Sequence, residues 1–315
     1  MTFNKFIGIE IGGTKLQLAI GDASGNIEQH MRYVIHAEEG ASGIREKISD
    51  CLVKWHDELI NVSAIGVGFG GPVDWQTGTI QVSHQIKGWE QVNLKDWLEE
   101  LTNKPVAIDN DANVAALGEA IHGWGNQYKK LFYITLGSGI GGGMVLNEAI
   151  YHGKAPGELE IGHLRLDKKG TTLESVCSGW AVNKTVRAYI DAHPDSLLAQ
   201  LALTHNAAEA ILLKPALEQQ DAVAQQILHE IADNIAFALS HLVHLFHPDI
   251  IVLGGGLSLL EEKLRLPVSL ALPRYLMQSF LPPPAVRISK LQENAVPVGA
   301  LELAKLALKQ DLKYT

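Results

Sequence analysis

Cysteine is nearly missing from this chain, with two residues, Cys51 and Cys177, in 315. Two cysteines build neither a disulfide framework nor a zinc-finger spacing, so a reducing cytoplasm is the expected setting. Positive charge is also in short supply. Lys and Arg total 26 against 35 Asp and Glu, a net charge of −9. That argues against a nucleic-acid surface, which needs clustered cations. No apolar run is long enough to cross a bilayer, and the opening Met-Thr-Phe-Asn-Lys-Phe has no secretion-signal core, so no membrane partner is expected. A low-complexity linker is lacking too. With 46% hydrophobic and 19% charged residues, the chain reads as an ordinary globular protein, long enough for two domains and suited to a small-molecule substrate.

Glycine, by contrast, is placed with purpose. Phe6–Ile11 and Lys15–Ile20 read as strands around the turn Gly12-Gly13-Thr14, a β-hairpin. Leu131–Leu136 and Met144–Leu146 flank a second glycine stretch, Gly137 to Gly143, read as one long turn. A third, Gly254-Gly255-Gly256, follows the apolar run 249–253. Glycine lets a backbone approach an anion and turn its N–H groups inward. One such stretch is most often a tight turn; three, each after an apolar strand, read together as a nucleotide site. None has Walker A spacing, and the Gly137 stretch lies in a hairpin rather than at a helix start, which argues against a Rossmann fingerprint.

The chain turns on Asn110-Asp111-Ala112-Asn113. Val106–Ile108 reads as a buried strand and Ala112–Ile121 as a helix, with Asp111 or Asn110 in the capping position. A carboxylate at a strand-to-helix junction stands where open α/β sheets place their ligands. Elsewhere the spacing predicts helices over 42–60, 94–101, 174–190, 221–246 and 298–309, a strand over 64–69 and a last strand over 286–288. The repeated strand–glycine turn–strand plan suggests two duplicated α/β halves. The expected division is a small domain over 1–114, closed by a C-terminal helix over 298–315, and a large domain over 115–297, the two meeting in a cleft near Asp111.

The residues at this point resemble the ROK family of sugar kinases and sugar-sensing repressors. Ile11-Gly-Gly-Thr-Lys15, Asn110-Asp-Ala-Asn113, Thr135 to Gly143, Glu160-Ile-Gly-His163 and Val252 to Gly256 match its motifs in order, over nearly the whole chain. The resemblance implies the actin-like, hexokinase-like (ribonuclease H-like) ATPase fold, and an ATP- and magnesium-dependent hexose kinase with glucose at O6 as first choice. It implies Asp111 as general base, with Gly71, Asn110, Glu160, His163 and Glu174 holding sugar hydroxyls. Gly12, Gly13, Thr14, Lys15, Gly137, Ser138 and Gly139 would flank the ATP phosphates, and Gly254, Gly255 and Gly256 the adenosine. A homodimer is a further family expectation. Fructokinase, mannokinase, N-acetylhexosamine kinase and polyphosphate as donor stay open. A ROK-type regulator is the rival class, for which a DNA-binding segment ahead of the first strand would be expected.

Two departures stand out. Glu10 replaces the family's usual aspartate, at a position expected to touch magnesium or its waters. The cysteine cluster that normally follows Glu-x-Gly-His is absent, so no structural zinc is expected. Among the remaining residues, Glu158 reads as a solvated charge and Cys177 as a small buried group. Trp89, Trp97, Trp124 and Trp180 read as core or interface, and His229, His241, His244 and His247 as surface or capping residues.

Overall fold

Short apolar runs become strands and long periodic ones helices. The computed structural model describes residues 5–83, 85–154, 159–204 and 209–314. The chain opens with β1 (Lys5–Ile11), β2 (Lys15–Gly21) and β3 (Ile27–Val34), then α1 (Gly40–Lys54), α2 (His56–Leu59) and β4 (Val62–Phe69). The short strands β5 (Val73–Asp74), β6 (Thr79–Ile80) and β7 (Val92–Asn93) lead to α3 (Leu94–Thr102), β8 (Val106–Asn110) and α4 (Asp111–Gly118). The second hairpin is β9 (Lys130–Leu136) and β10 (Ile140–Leu146), continued by β11 (Ala149–Ile150). Helices α5 (Leu173–Cys177), α6 (Gly179–Ala192), α7 (Leu197–Thr204), α8 (Leu213–Glu218) and α9 (Ala222–Phe246) precede β12 (Ile250–Gly254), α10 (Glu262–Ala271), β13 (Ala285–Ile288) and α11 (Ala295–Tyr314).

The two large sheets repeat one plan, as the glycine echo suggested. Their strand orders are β3-β2-β1-β4-β8 and β11-β10-β9-β12-β13, with β5-β6-β7 a small third sheet. In the first, β1, β2 and β3 pair antiparallel while β4 and β8 add parallel to β1. In the second, β10 pairs antiparallel with β11 and β12 parallel with β13.

Two compact units emerge: Met1–Tyr133 with Gly143–Leu159 and Lys290–Thr315, and Ile134–Gly142 with Glu160–Ser289. This line departs from a boundary at 114/115, because α4 packs on α11 and stays with the first unit.

The first unit shows why β1 and β4 have the sequences they do. Successive strand residues face opposite sides. Ile7, Ile9, Ile11, Ile65, Val67 and Phe69 fill the larger core with Ile44 and Ile48 of α1 and Leu94 and Leu98 of α3. On the other face Phe6 and Ala64 meet Leu301, Ala304 and Ala307 of α11. Glycine is required there for closeness: a Cβ on Gly66 would stand 1.9 Å from the Ala300 carbonyl oxygen, and one on Gly299 1.8 Å from that of Val114. Overpacking a site like these costs about 1–3 kcal/mol or more. A polar clamp adds to the seam. Glu302 of α11 bonds His122 Nε2 at 2.7 Å and Lys305 Nζ at 2.6 Å, and Lys305 also reaches the Ala23 carbonyl at 2.8 Å.

Three expected elements end or break differently. The helix expected over 42–60 breaks at Trp55, buried at 3% exposure, into α1 and α2. The one over 174–190 breaks at Ser178, whose side chain caps α6 by accepting from Ala181 N. The glycine stretch 137–143 is not all turn, since Gly141, Gly142 and Gly143 lie inside β10. A Cβ on Gly143 would meet the Ala112 carbonyl oxygen at 2.4 Å, so α4 approaches that strand too closely for any side chain. In the second unit α9 starts at Asp221, whose side chain accepts from Ala224 N at 2.7 Å, and ends at His247 with φ 45°.

Candidate active site

In the first unit the ends of β1, β4 and β8 converge. Gly70 N–H donates to the Ile11 carbonyl at 2.8 Å. A Cβ on Gly70 would lie 3.2 Å from Asp111 Oδ2 and 3.4 Å from Gly12 Cα. The glycine turn and the carboxylate singled out in the sequence are therefore neighbours. Asp111 is half-buried in the first turn of α4, where the positive end of a helix favours a carboxylate.

The N-cap is Asn110, which resolves the choice the sequence left open. Its Oδ1 accepts from Ala112 N at 2.9 Å and Asn113 N at 3.4 Å, and its Nδ2 donates to the Gly71 carbonyl at 3.2 Å. Asn110 thus fixes the Gly71 corner as well as the helix. Behind it stands a residue the sequence reading missed. Asp109 is buried at 3% exposure and accepts from Asn110 N at 2.8 Å, Asn113 Nδ2 at 3.0 Å and His152 Nε2 at 2.6 Å.

Around the first glycine turn, Gly12 N–H donates to the Lys15 carbonyl at 2.9 Å, and Thr14 is exposed. Lys15 Nζ bonds Glu10 Oε1 at 3.0 Å, and Gln17 Nε2 donates to the other oxygen. Burial pushes the Glu10 carboxyl up, and Lys15 and Gln17 offset this only in part. Gln85 Oε1, buried and without a hydrogen-bond partner among the described residues, lies on Gly13, 1.3 Å from where a Cβ would be. A solvent-facing Lys15, backbone glycines and an unsatisfied amide suit a phosphate group, since a Gln amide presents either an acceptor or two donors. Magnesium fits this corner only in company with such phosphates. Both Glu10 oxygens are engaged by the chain, and among the described residues no group of three His, Cys, Asp or Glu could hold a metal ion.

The second unit builds its own corner. Gly137 N–H donates to the Gly139 carbonyl at 3.0 Å, leaving Ser138 at the tip, and Gly179 N–H at the start of α6 donates to the Gly137 carbonyl at 2.7 Å. Gly255 (φ 77°) rests on the same turn: a Cβ there would come within 2.6 Å of the Leu136 backbone. Gly254 ends β12 buried, and Gly256 is open, with nothing within 4 Å of its would-be Cβ. Glu174 lies here too, its Oε2 accepting from Ile140 N at 2.7 Å. Glu160 and His163 are both exposed at the two ends of one 3-10 turn.

The loop between His163 and Glu174 is closed by backbone. Leu166 N bonds Thr171 O at 2.8 Å and Leu173 N bonds Leu164 O at 3.0 Å, while Asp167 Oδ1 gathers Lys169, Gly170 and Thr171 N–H groups. Leu173 is fully buried. Cys177 turns inward toward the Ile231 carbonyl at 3.7 Å, and burial pushes its thiol up to about 12. Trp89 is core, but Trp180 is 58% exposed on α6. Glu158 lies outside the described residues.

Two duplicated sheets, each with a glycine hairpin, define the actin-like, hexokinase-like ATPase fold. The chain belongs to the ROK family, whose profile matches residues 6–307. A glucokinase of Halalkalibacterium halodurans is 32% identical over 313 residues, covering 95% of this chain and 94% of that one. A glucokinase of Thermotoga maritima is 30% identical over 309 residues, covering 96% and 97%. Among solved structures, a ROK family glucokinase from Streptomyces griseus in complex with glucose and AMPPNP is 30% identical. It matches with a TM-score of 0.86 over 96% of this chain and 100% of that one.

Proposed function

We propose that this protein phosphorylates glucose at O6, with Asp111 as the general base. The chain is an ATP-dependent hexose kinase, and what carries the reading of its chemistry is the junction at Asp111. Its carboxylate stands at the end of β8 beside Gly70 and the Gly12 turn. The residues before and after it are fixed by Asn110 and Asp109. Phosphoryl transfer is mostly positioning and charge stabilisation, so a single well-held carboxylate is what the chain needs to supply.

In the step itself the sugar O6 attacks the γ-phosphorus as its proton passes to Asp111. The bond from that phosphorus to the β–γ bridging oxygen breaks, and ADP leaves. The Gly12–Lys15 turn and the Gly137–Gly139 turn hold phosphate oxygens through backbone N–H groups and Lys15. Gly254, Gly255 and Gly256 lie against the adenosine. Magnesium bound with the nucleotide would supply charge neutralisation to the phosphates, and Glu10 would be the residue placed to hold its waters. Glu160 and His163, exposed on one short turn, accept and donate to sugar hydroxyls, as does the Gly71 corner with Asn110. Glu174 has one carboxylate oxygen on Ile140 N and offers the other to the sugar.

The test is ADP release across glucose, mannose, fructose and N-acetylhexosamines, with polyphosphate substituted for ATP in a parallel series. Glucose is expected to give the highest kcat/KM and glucose 6-phosphate as product. Release of ADP with none of these sugars would overturn the reading; a preference for another hexose would move the substrate assignment alone.

A further inference from the structure

We infer that Asp109, His152 and Trp75 form a latch that holds Asp111 in its working position, a role that rests on Asp111 being the base. The observation behind it is a buried carboxylate in an unlikely place. Asp109 is 3% exposed, one strand residue from the N-cap of α4. A buried charge is costly unless it is fully hydrogen-bonded. An apolar residue of similar size would serve stability as well or better.

Two of its bonds control neighbours of Asp111, and the third ties it to His152. Oδ1 accepts the N–H of Asn110, the residue before Asp111, at 2.8 Å, and the side chain of Asn113, two residues after it, at 3.0 Å. The outer oxygen, Oδ2, takes His152 Nε2 at 2.6 Å. An ionised carboxylate only accepts, so Nε2 carries the proton in this bond. His152 is itself held face to face with Trp75, with ring centroids 4.1 Å apart and planes 15° from parallel. Trp75 follows β5 and is 36% exposed, so the stack closes the latch from the solvent side.

The three residues come from separate stretches of the first unit: the β5–β6 turn, the end of β8, and the segment just after β11. Together they hold the backbone N–H just before Asp111 and the Asn113 side chain just after it. None of them exchanges a proton with the substrate; they are positioning residues. A displacement of about 1 Å at a reacting group is enough to lower a rate about 100-fold, so the latch is expected to act on kcat.

Steady-state kinetics of His152→Ala, His152→Gln and Trp75→Ala test this, alone and combined with Asp111→Ala. His152→Ala should lower kcat about 10- to 100-fold with the KM for ATP changed less than about twofold. Glutamine places an amide N–H where Nε2 was and should recover most of the loss. Trp75→Ala, at an exposed position that leaves the core intact, should give a smaller loss of the same kind even if His152→Ala folds poorly. In the Asp111→Ala background, loss of His152 should lower turnover no further, since both act through one group. Unchanged kcat in Trp75→Ala and His152→Ala alongside a lowered Tm would overturn the latch. So would an equal fractional loss in the Asp111→Ala background. Near-normal turnover in Asp111→Ala alone would instead remove the base assignment.

Discussion

The two glycine hairpins occupy the same place in two sheets of the same plan, yet they are built from different materials. The first is charged: Lys15 follows the turn, Glu10 precedes it, and the two meet at 3.0 Å over a buried floor. The second has no charge at its tip. It is fastened by backbone from Gly179 and by Glu174, a carboxylate that spends itself on Ile140 N–H. One geometry thus carries an ion pair in one copy and backbone and carboxylate fastening in the other. The first hairpin is suited to respond to the charge of its ligand, the second to present fixed N–H groups.

The largest effect should come from the carboxylate beside the charged hairpin. Asp111→Ala is expected to lower kcat about 10²- to 10⁴-fold while leaving the sugar Kd nearly unchanged. Steady-state turnover set beside calorimetric sugar binding checks both halves of that expectation, and a variant with most of its turnover would end the assignment. Next comes the rigid hairpin. Gly255→Ala places a Cβ within 2.6 Å of the Leu136 backbone at a φ of 77°, a combination of strain and overpacking worth about 2–5 kcal/mol. The Tm should fall and an ATP analogue bind more weakly, whereas Gly12→Ala, whose Cβ would stand 3.3 Å from the Lys15 carbonyl oxygen, should be milder. Equal damage from both substitutions would erase the contrast between the hairpins.

How much of this was legible in the sequence can be read from the same residues. The glycine stretches, the apolar runs between them and the Asn110-Asp111 junction are local signals, and they located both hairpins and the strand-to-helix corner. What escaped depended on approach between distant segments. His152 lies 43 residues from Asp109, and nothing in the spacing of the two links them. Gly141 to Gly143 read as turn because glycine in a strand is uncommon; only the nearness of α4 makes it necessary at Gly143. Glu174 was named through the family resemblance, but its bond to Ile140 N–H, 34 residues away, was not legible in the spacing.

A finer test of the charged hairpin is Glu10→Gln. It should raise the magnesium concentration needed for half-maximal rate by more than it raises the sugar KM, and Glu10→Asp should be tolerated. Titration of rate against magnesium, with sugar saturating, separates the two; equal harm to sugar affinity would move Glu10 into the sugar pocket. The smallest effect belongs to the clamp beneath that unit. Burial pushes the Glu302 carboxyl up, but the bonds from His122 and Lys305 more than offset it, so it titrates below its ordinary value. A depressed carboxylate stabilises the fold above its unfolded pKa, and that contribution is lost as pH falls through the folded one. Glu302→Gln should therefore lower Tm at neutral pH by about 2–4 °C, the shift expected for roughly 1 kcal/mol. The gap to wild type should close as the pH falls below the carboxylate range, and a constant gap in thermal melts from neutral to acid would contradict it.

Helix α11, seated on Gly66 and Gly118 of the first unit, also sets the timetable of folding. The sheet it covers is made by the first 110 residues or so, but the cover arrives about 160 residues after the unit's first stretch ends. At about 5–20 residues per second, a nascent chain spends about 10–30 s with Phe6, Ala64 and the glycine floor uncovered. Such long-range closure makes folding slow. The seam shuts only once translation has delivered the final helix.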